Sequence, residues 1–450
     1  MAKKNALTEI INYISFLGSP ATFIYNCKIL TEKMTLNVKS VNGLDGNADY
    51  VNGFADEKVL ELVVTQGEYD RYIYPNRENI QIQLEKIYVD KLTGEPERHM
   101  EPQRVQYIAI PQGLGDTDLH DKPAIDKDQQ LVIVKFDLQS IVVNSMRYMT
   151  FNGPFRKLSA GELLTLAYVD RMQSLNLPQQ IAPQGLTASD FNVKNKREQI
   201  IVPHGTRLMD LPIYLQKYEG GIYNHSIGMY YDDIYRNWFI YPLHDCRRFE
   251  ESKVKLEVYL VRSNQLMGFD DTHRIDKDDV TTISILSTSG FTQIDTKDVD
   301  FLNSGNGVKF SQADKVFDGH MTQEANKGKV SGDHLASFYL QKRGSDFQVS
   351  KYPTKRVTTN TANEMSKLAA KAGQLLAVSW EFSRPDLLMP GMPVRVYYDS
   401  ESAEKYVQGT LLNVKYAESP IEAGSVPTKK MTSSSRLLLF VENPNYELVV

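Results

Sequence analysis

The chain has 450 residues, 41% of them hydrophobic and 24% charged, with 51 basic against 56 acidic side chains and a net charge of −5. That length exceeds one hydrophobic core and predicts two to four folded units. The charge balance excludes the broad basic field that holds nucleic acid by its phosphates. Two cysteines, Cys27 and Cys246, are too few for a disulfide framework and read as buried thiols formed in a reducing cytosol. No run reaches the ~18 apolar residues of a membrane-spanning helix.

In chain order, Ala6, Leu7, Ile10, Ile11, Ile14 and Leu17 recur at helical spacing and predict a short amphipathic helix ending near Gly18-Ser19-Pro20. Glu9 and Asn12 interrupt the apolar core a signal peptide needs. From Ala21 to about Thr150 the signal is strand. Val59–Thr65 is rich in β-branched residues, Ile80–Leu84 alternates apolar with polar, and Val105–Ile110 resumes the pattern until Pro111. The polar stretches Glu95–Gln103 and Gly113–Gln130 read as excursions from the sheet. Leu131–Leu138 is apolar enough to predict a central strand.

At Ser159 the period changes. Ser159 and Glu162 fit a capping box, and Leu163, Leu166, Ala167 and Val169 predict a helix running to about Ser174, with a linker at Pro178 and Pro183. Gln199–Val202 predicts a strand that Pro203 ends. Leu208, Leu211, Leu215 and Tyr218 predict one helical face, with Asp210 as N-cap so that Pro212 falls in the first turn. Gly220-Gly221 predicts a left-handed exit, and Ile227–Tyr231 with Trp238–Tyr241 a hairpin around Asp232-Asp233. After Glu251 strands return at Val254–Val261, Val280–Ser289 and Val308–Phe310. Phe269–Asp279 reads as a loop, and Asp314–Asp333 as a long polar excursion. Thr361 and Glu364 open a third helix, closed by Gly373. Leu375–Phe382, Leu387–Tyr398, Val407–Tyr416 and Arg436–Val441 predict three or four antiparallel strands.

The chemistry-bearing residues form no compact block. Eight histidines are scattered, His204 and His244 among them, with no H-E-x-x-H, CxxC, G-x-S-x-G, P-loop or G-x-G-x-x-G pattern. Gly113-Leu-Gly115 is too short for a phosphate cradle. Asp116, Asp118, Asp121, Asp126 and Asp128 lack EF-hand spacing. Paired carboxylates for glycoside cleavage are read from geometry, not spacing; Asp232 and Asp233 read first as turn formers. The sequence therefore assigns no catalytic, cofactor-binding or metal-ligating residue, and predicts no enzyme.

The stretch Ile200–Tyr241 resembles a recurring segment of bacteriophage tail baseplate hub proteins (the torus-forming hub, or late control protein D-like, family). The residues that carry the resemblance are Val202-Pro203, the helix Leu208–Tyr218, Gly221-Ile222-Tyr223, and the strand pair Met229–Ile240 with its acidic turn. Asn79–Ile110, with Tyr107-Ile-Ala-Ile110, and Pro390–Val394 followed by Gly409–Val414 are similar to further pieces of hub β-domains.

The resemblance implies a mainly β fold with an α+β insert: two tube-like antiparallel β-barrel domains plus a small α+β domain. The expected divisions are 1–150, a first β-domain with the N-terminal helix; 151–250, the α+β domain; 251–360, a second β-domain; and 361–450, a helix and strands completing the β-domains. It further implies a non-enzymatic virion protein made in the host bacterial cytoplasm. That protein is a homotrimeric ring joining the hexameric tail tube, or a tube initiator, to a trimeric central spike among other baseplate proteins. Strands closing across subunits would remove exposed sheet edges, and a weakly acidic wall would let genomic DNA pass through the lumen without specific binding. No cofactor or membrane-spanning segment is expected. The alternatives are a tail tube initiator or distal tail ring protein and, ranked below it, a virion cell-wall hydrolase or carbohydrate-binding protein.

Overall fold

A computed structural model describes residues 22–89, 96, 102–112, 129–260, 272–277, 280–287, 292–294, 309–312, 336–339, 366, 369–370, 373–397, 406–421 and 429–442. The expected N-terminal helix, nearly all of the excursion 95–103, the Asp-rich loop 113–128 and the segment 314–333 lie outside those residues. So does most of the helix begun at Thr361, of which Ser366, Ala369 and Ala370 are described as helical.

The first part of the chain is strand, as its alternation requires. It comprises β1 (Thr22–Leu30), β2 (Thr35–Asn37), β3 (Ser40–Asp49), β4 (Glu57–Thr65), β5 (Gln81–Val89), β6 (Gln103–Pro111) and β7 (Leu131–Ser140). Between β4 and β5 lie three short helical turns over 66–76, which the strand signal did not foretell. β7 lies between β4 and β6, yet only one of its faces is dry. Val132, Val134, Phe136 and Leu138 point inward, whereas Leu131 and Ile133 are about half exposed, at 51% and 52%. Its apolar outer residues reflect a barrel wall, not a strand covered on both sides.

An α+β segment follows. Ser159 and Glu162 make the capping box at the start of the helix Ala160–Gln173. Its buried face is Ala160, Leu163, Leu164, Ala167 and Tyr168; Leu166 and Val169 lie on the outer side, contrary to expectation. The helix Leu211–Tyr218 begins at Asp210 with Pro212 in its first turn, although the Asp210 side chain makes no capping bond. Leu208, Leu211 and Leu215 are buried, but Tyr218 is 53% exposed and leaves the expected face, stacking obliquely on Tyr214 at 5.5 Å. Gly220 and Gly221 take φ of +89° and +84°, the left-handed exit that glycine permits without Cβ strain. The strands here are β8 (Gly153–Phe155), β9 (Gly185–Ala188), β10 (Ile200–Val202), β11 (Ile227–Asp232) and β12 (Asn237–Pro242). β11 and β12 form the expected hairpin, with β9 added in parallel.

The last part contains β13 (Val254–Leu260), β14 (Thr272–Lys277), β15 (Val280–Ser287), β16 (Thr292–Ile294), β17 (Lys309–Gln312), β18 (Ala336–Tyr339), β19 (Gly373–Trp380), β20 (Pro393–Tyr397), β21 (Tyr406–Pro420) and β22 (Met431–Glu442). β14 corrects the loop expected over 269–279: Thr272–Lys277 pairs antiparallel with β15. The second sheet is also not purely antiparallel, because β13 runs parallel to both β15 and β20.

The long strands β21 and β22 organise the molecule. Their paired halves from Asn413 to Pro420 and from Met431 to Leu438 join β3 on one side and β1 on the other. This closes an antiparallel ring β1-β5-β6-β7-β4-β3-β21-β22, the last contact being Phe23 opposite Met431. Their other halves carry β20 and β19 and belong to a second sheet, β15-β13-β20-β21-β22-β19. Its ends meet where Ser287 Oγ donates to Ser379 O at 2.6 Å. At the changeover β21 bulges by one residue, Leu412, whose carbonyl accepts from Tyr50 N at 3.0 Å. The first barrel thus closes with strands of its own chain.

Three cores result. One fills the first barrel around Leu60, Ile82, Val134 and Phe136. A second fills the other sheet around Val258, Trp380, Val394 and Leu439. A third lies in the α+β segment around Leu163, Tyr168, Leu215 and Trp238. Gln216 ties the segment to the residue at 366: its amide donates to Tyr223 O at 2.7 Å and to Ser366 Oγ at 3.0 Å.

Candidate functional site

The first barrel is apolar through most of its length and polar at one end. Lys58 sits on the inward parity of β4 with Leu60, Leu62 and Val64. Lys86 sits on the inward parity of β5 with Ile82, Leu84 and Tyr88. A lysine inside a barrel requires a partner. Lys86 Nζ lies 2.8 Å from Glu418 and 3.4 Å from Asp386, with the ring of Phe23 beneath it at 4.1 Å. Tyr25 donates to Glu418, Tyr88 donates to Asp386, and Gln103 donates to Asp386 at 2.8 Å. Lys58 Nζ lies 3.0 Å from Asp56 and donates to Tyr107 Oη at 2.8 Å. Tyr230 and Tyr416 also donate to Asp56, at 2.5 and 3.2 Å.

The charges are set by these partners. Burial works against the ammonium of Lys86, but Glu418 and Asp386 outweigh it and hold the group well above the lysine range. Asp56 and Asp386 are pushed up by burial and pulled down further by Lys58 and Lys86 together with the hydrogen bonds they accept, from Tyr230 and Tyr416 and from Tyr88 and Gln103, so both stay ionised.

The turn between β11 and β12 reaches this same end. Asp232 accepts from Ile234 N at 2.8 Å and Tyr235 N at 3.0 Å, the local turn bonding expected of it. Asp233 accepts from Ser140 Oγ at 2.6 Å. Neither forms an ion pair among the described residues. Burial and then the charge of Asp56 raise Asp232 to about 7. Burial raises Asp233 to about 6 against the pull of Lys58 and Ser140.

Asp232, Asp233 and both lysines border one cavity of about 80 Å³. That holds two or three waters at ~30 Å³ each, whereas ligand pockets run to about 300 Å³ or more. A carboxylate poised near neutrality beside a second one meets the charge requirement of a glycosidase, but no sugar ring fits in this cavity; Asp233 also borders an open cleft of about 550 Å³ with Gln103, Arg104 and Arg236. What the arrangement does is join parts of the chain far apart in sequence: β4 and β5, the hairpin turn, Asp386 ahead of β20, and Glu418 on β21.

The structure does not bring His204 and His244 together with this network. His244 is buried edge-on to Phe440 at 4.7 Å, and burial followed by His225 lowers it to about 4. Cys27 and Cys246 are buried free thiols. Among the described residues no group of three or more His, Cys, Asp or Glu side chains could hold a metal ion, and no helix is long and apolar enough to cross a membrane. Sequence reasoning passed over Lys58 and Lys86, although each stands on the apolar parity of an alternating strand.

No known protein family matches the sequence, and no curated protein matches it either. Solved structures do. A tail protein from Neisseria meningitidis MC58 aligns over 92% of this chain and 96% of its own, at 10% identity and a TM-score of 0.44. The 43 kDa tail protein of prophage MuSo2 from Shewanella oneidensis aligns over 93% and 99%, at 9% identity and 0.45. A type VI secretion component of E. coli, described as structurally similar to two T4 tail proteins, aligns over 93% and 78%, at 8% identity and 0.40. These are loose likenesses, and the proteins concerned are phage tail and secretion-system components.

Proposed function

We propose that this chain is a structural protein of a phage-type tail: a baseplate hub subunit that assembles as a ring between the tail tube and the central spike. The observation that supports it most is the fusion of two β-sheet modules through the shared strands β21 and β22. A chain that carries two such modules in fixed relation lets three copies present six modules, which matches threefold to sixfold symmetry without a second gene product. The hub-like order of strand, helix, glycine break and acidic-turn hairpin over 200–241 supports the same reading. The seam network spends its charged groups on one another, Lys86 on Glu418 and Asp386 and Lys58 on Asp56, which supports a role in assembly over one in catalysis.

The test is the mass of the purified full chain alone and with its tube and spike partners. A trimer that binds both supports the hub. A hexamer assigns the chain to the initiator or distal ring class. A cell-wall zymogram with a cleared band would assign it to the hydrolases.

A further inference from the structure

The hairpin β11–β12 is held by its turn to the α+β segment on one side and by a short polar seam to the first barrel on the other. Arg236, at φ +51°, donates to the carbonyls of Gln179 and Gln180 at 2.8 and 2.9 Å and so anchors the turn to the α+β segment. Toward the barrel the seam includes Ser140 to Asp233, Tyr230 to Asp56, Tyr231 N to Phe54 O at 2.7 Å and Tyr241 Oη to Tyr50 O at 2.9 Å, with Tyr50 and Tyr230 edge-to-face at 4.8 Å. Three carboxylates, Asp56, Asp232 and Asp233, meet there against one cation, Lys58, whose ion pair is already made with Asp56. The other cation on the cavity, Lys86, is engaged by Asp386 and Glu418.

We propose that this turn is a proton-operated latch between the α+β segment and the first barrel, closed when the Asp232-Asp233 pair carries a proton and loosened when both are ionised. The physical cause is the count of charges at a part-buried seam. With one proton on the pair, the ionised groups at the seam are two carboxylates and one ammonium. With none, a third carboxylate must sit beside Asp56 with no cation to meet it.

The groups facing the pair are few in kind. The loop before β4 supplies Asp56, and β4 supplies Lys58. Tyr50 just after β3, Tyr107 of β6 and Tyr416 of β21, with Tyr230 and Tyr231 of the hairpin itself, are hydroxyls that stay neutral, because burial raises every one of them above the usual tyrosine range. Arg236 is turned to the carbonyls named above, and Arg104 of β6, which shares an open cleft with Asp233, is paired with Glu85 at 2.6 Å. Asp232 and Asp233, raised mainly by burial to about 7 and about 6, place the transition in the neutral range.

The experiment is deuterium uptake by the full-length protein at pH 5.5 and 8.5, corrected for intrinsic exchange, over 229–239 and 136–144, with 81–89 as the internal control. The latch predicts that protection of the two seam segments falls about tenfold or more relative to the control on going to pH 8.5. Asp232→Asn keeps an oxygen for the turn amides, and in Asp232→Asn/Asp233→Asn the fall should shrink to about twofold or less. Equal protection of the wild type at both pH values, or an undiminished fall in the double variant, would overturn the proposal. If the double variant does not fold, the wild-type comparison and the single Asp232→Asn variant decide it.

Discussion

Lys86 reaches Glu418 and Asp386 from more than 290 residues away in sequence, so its ammonium holds the two ends of the chain to one barrel. Buried pairs of this kind add little net stability over apolar packing, yet removing one partner strands the others. Lys86→Met should therefore cost about 3–5 kcal/mol in denaturant unfolding, and Lys86→Met/Glu418→Gln/Asp386→Asn should recover most of it. A triple variant as unstable as the single one would show that the network has another role. Asp232 gives a pH dependence of defined sign. Its folded value, about 7, lies above the unfolded ~3.9, so the folded chain holds a proton that the unfolded chain releases, and stability falls as pH rises from about 4 to about 7. That displacement corresponds to ~4 kcal/mol, and solvent reaching the half-buried carboxyl trims it to about 2 kcal/mol. Asp232→Asn should flatten this slope in melts taken between pH 5 and 8. Turn chemistry at Asp232 was legible in the sequence because it is local. The charge of Asp56 beside it was not, since a fold brings together residues 176 positions apart that no spacing rule connects.

Elements whose signals are local came through most clearly. The Ser159 capping box, Pro212 in a first turn and the Gly220-Gly221 exit each depend on neighbours within a few residues. Helix faces were harder to read: Leu166, Val169 and Tyr218 are apolar or aromatic at plausible spacing, yet the packing partners chose Leu164, Tyr168 and Gln216 instead. The division of β21 and β22 between two sheets was invisible, since it depends on pairing partners some 370 residues upstream. Within the first barrel, Gly46 shows how closely β3 and β21 approach. A Cβ there would come 2.1 Å from the ring of Tyr416. Gly46→Ala should lower stability by about 1–3 kcal/mol, and Tyr416→Leu should relieve part of that loss in the double variant. Melting curves of the two single variants and the double variant check it; additive losses would contradict the contact.

At the scale of the whole molecule, the two sheets have no free joint. A hinge needs a segment that absorbs dihedral change, and here the connection is a hydrogen-bonded strand pair with a single bulge. The first barrel and the second sheet should therefore unfold together. In a Trp238→Phe background, intrinsic fluorescence of Trp380 in the second core and exchange of β4 and β7 in the first should report one midpoint. Shared strands also make the chain a rigid pair of modules, and the hub reading rests on that. The most direct test is single-particle imaging, with mass measurement, of the full-length protein assembled with its tube and spike partners. A hub subunit gives a three-chain ring with a central hole and six β-modules around it. A six-chain ring, or a chain that remains single and without a channel in the presence of both partners, would contradict it.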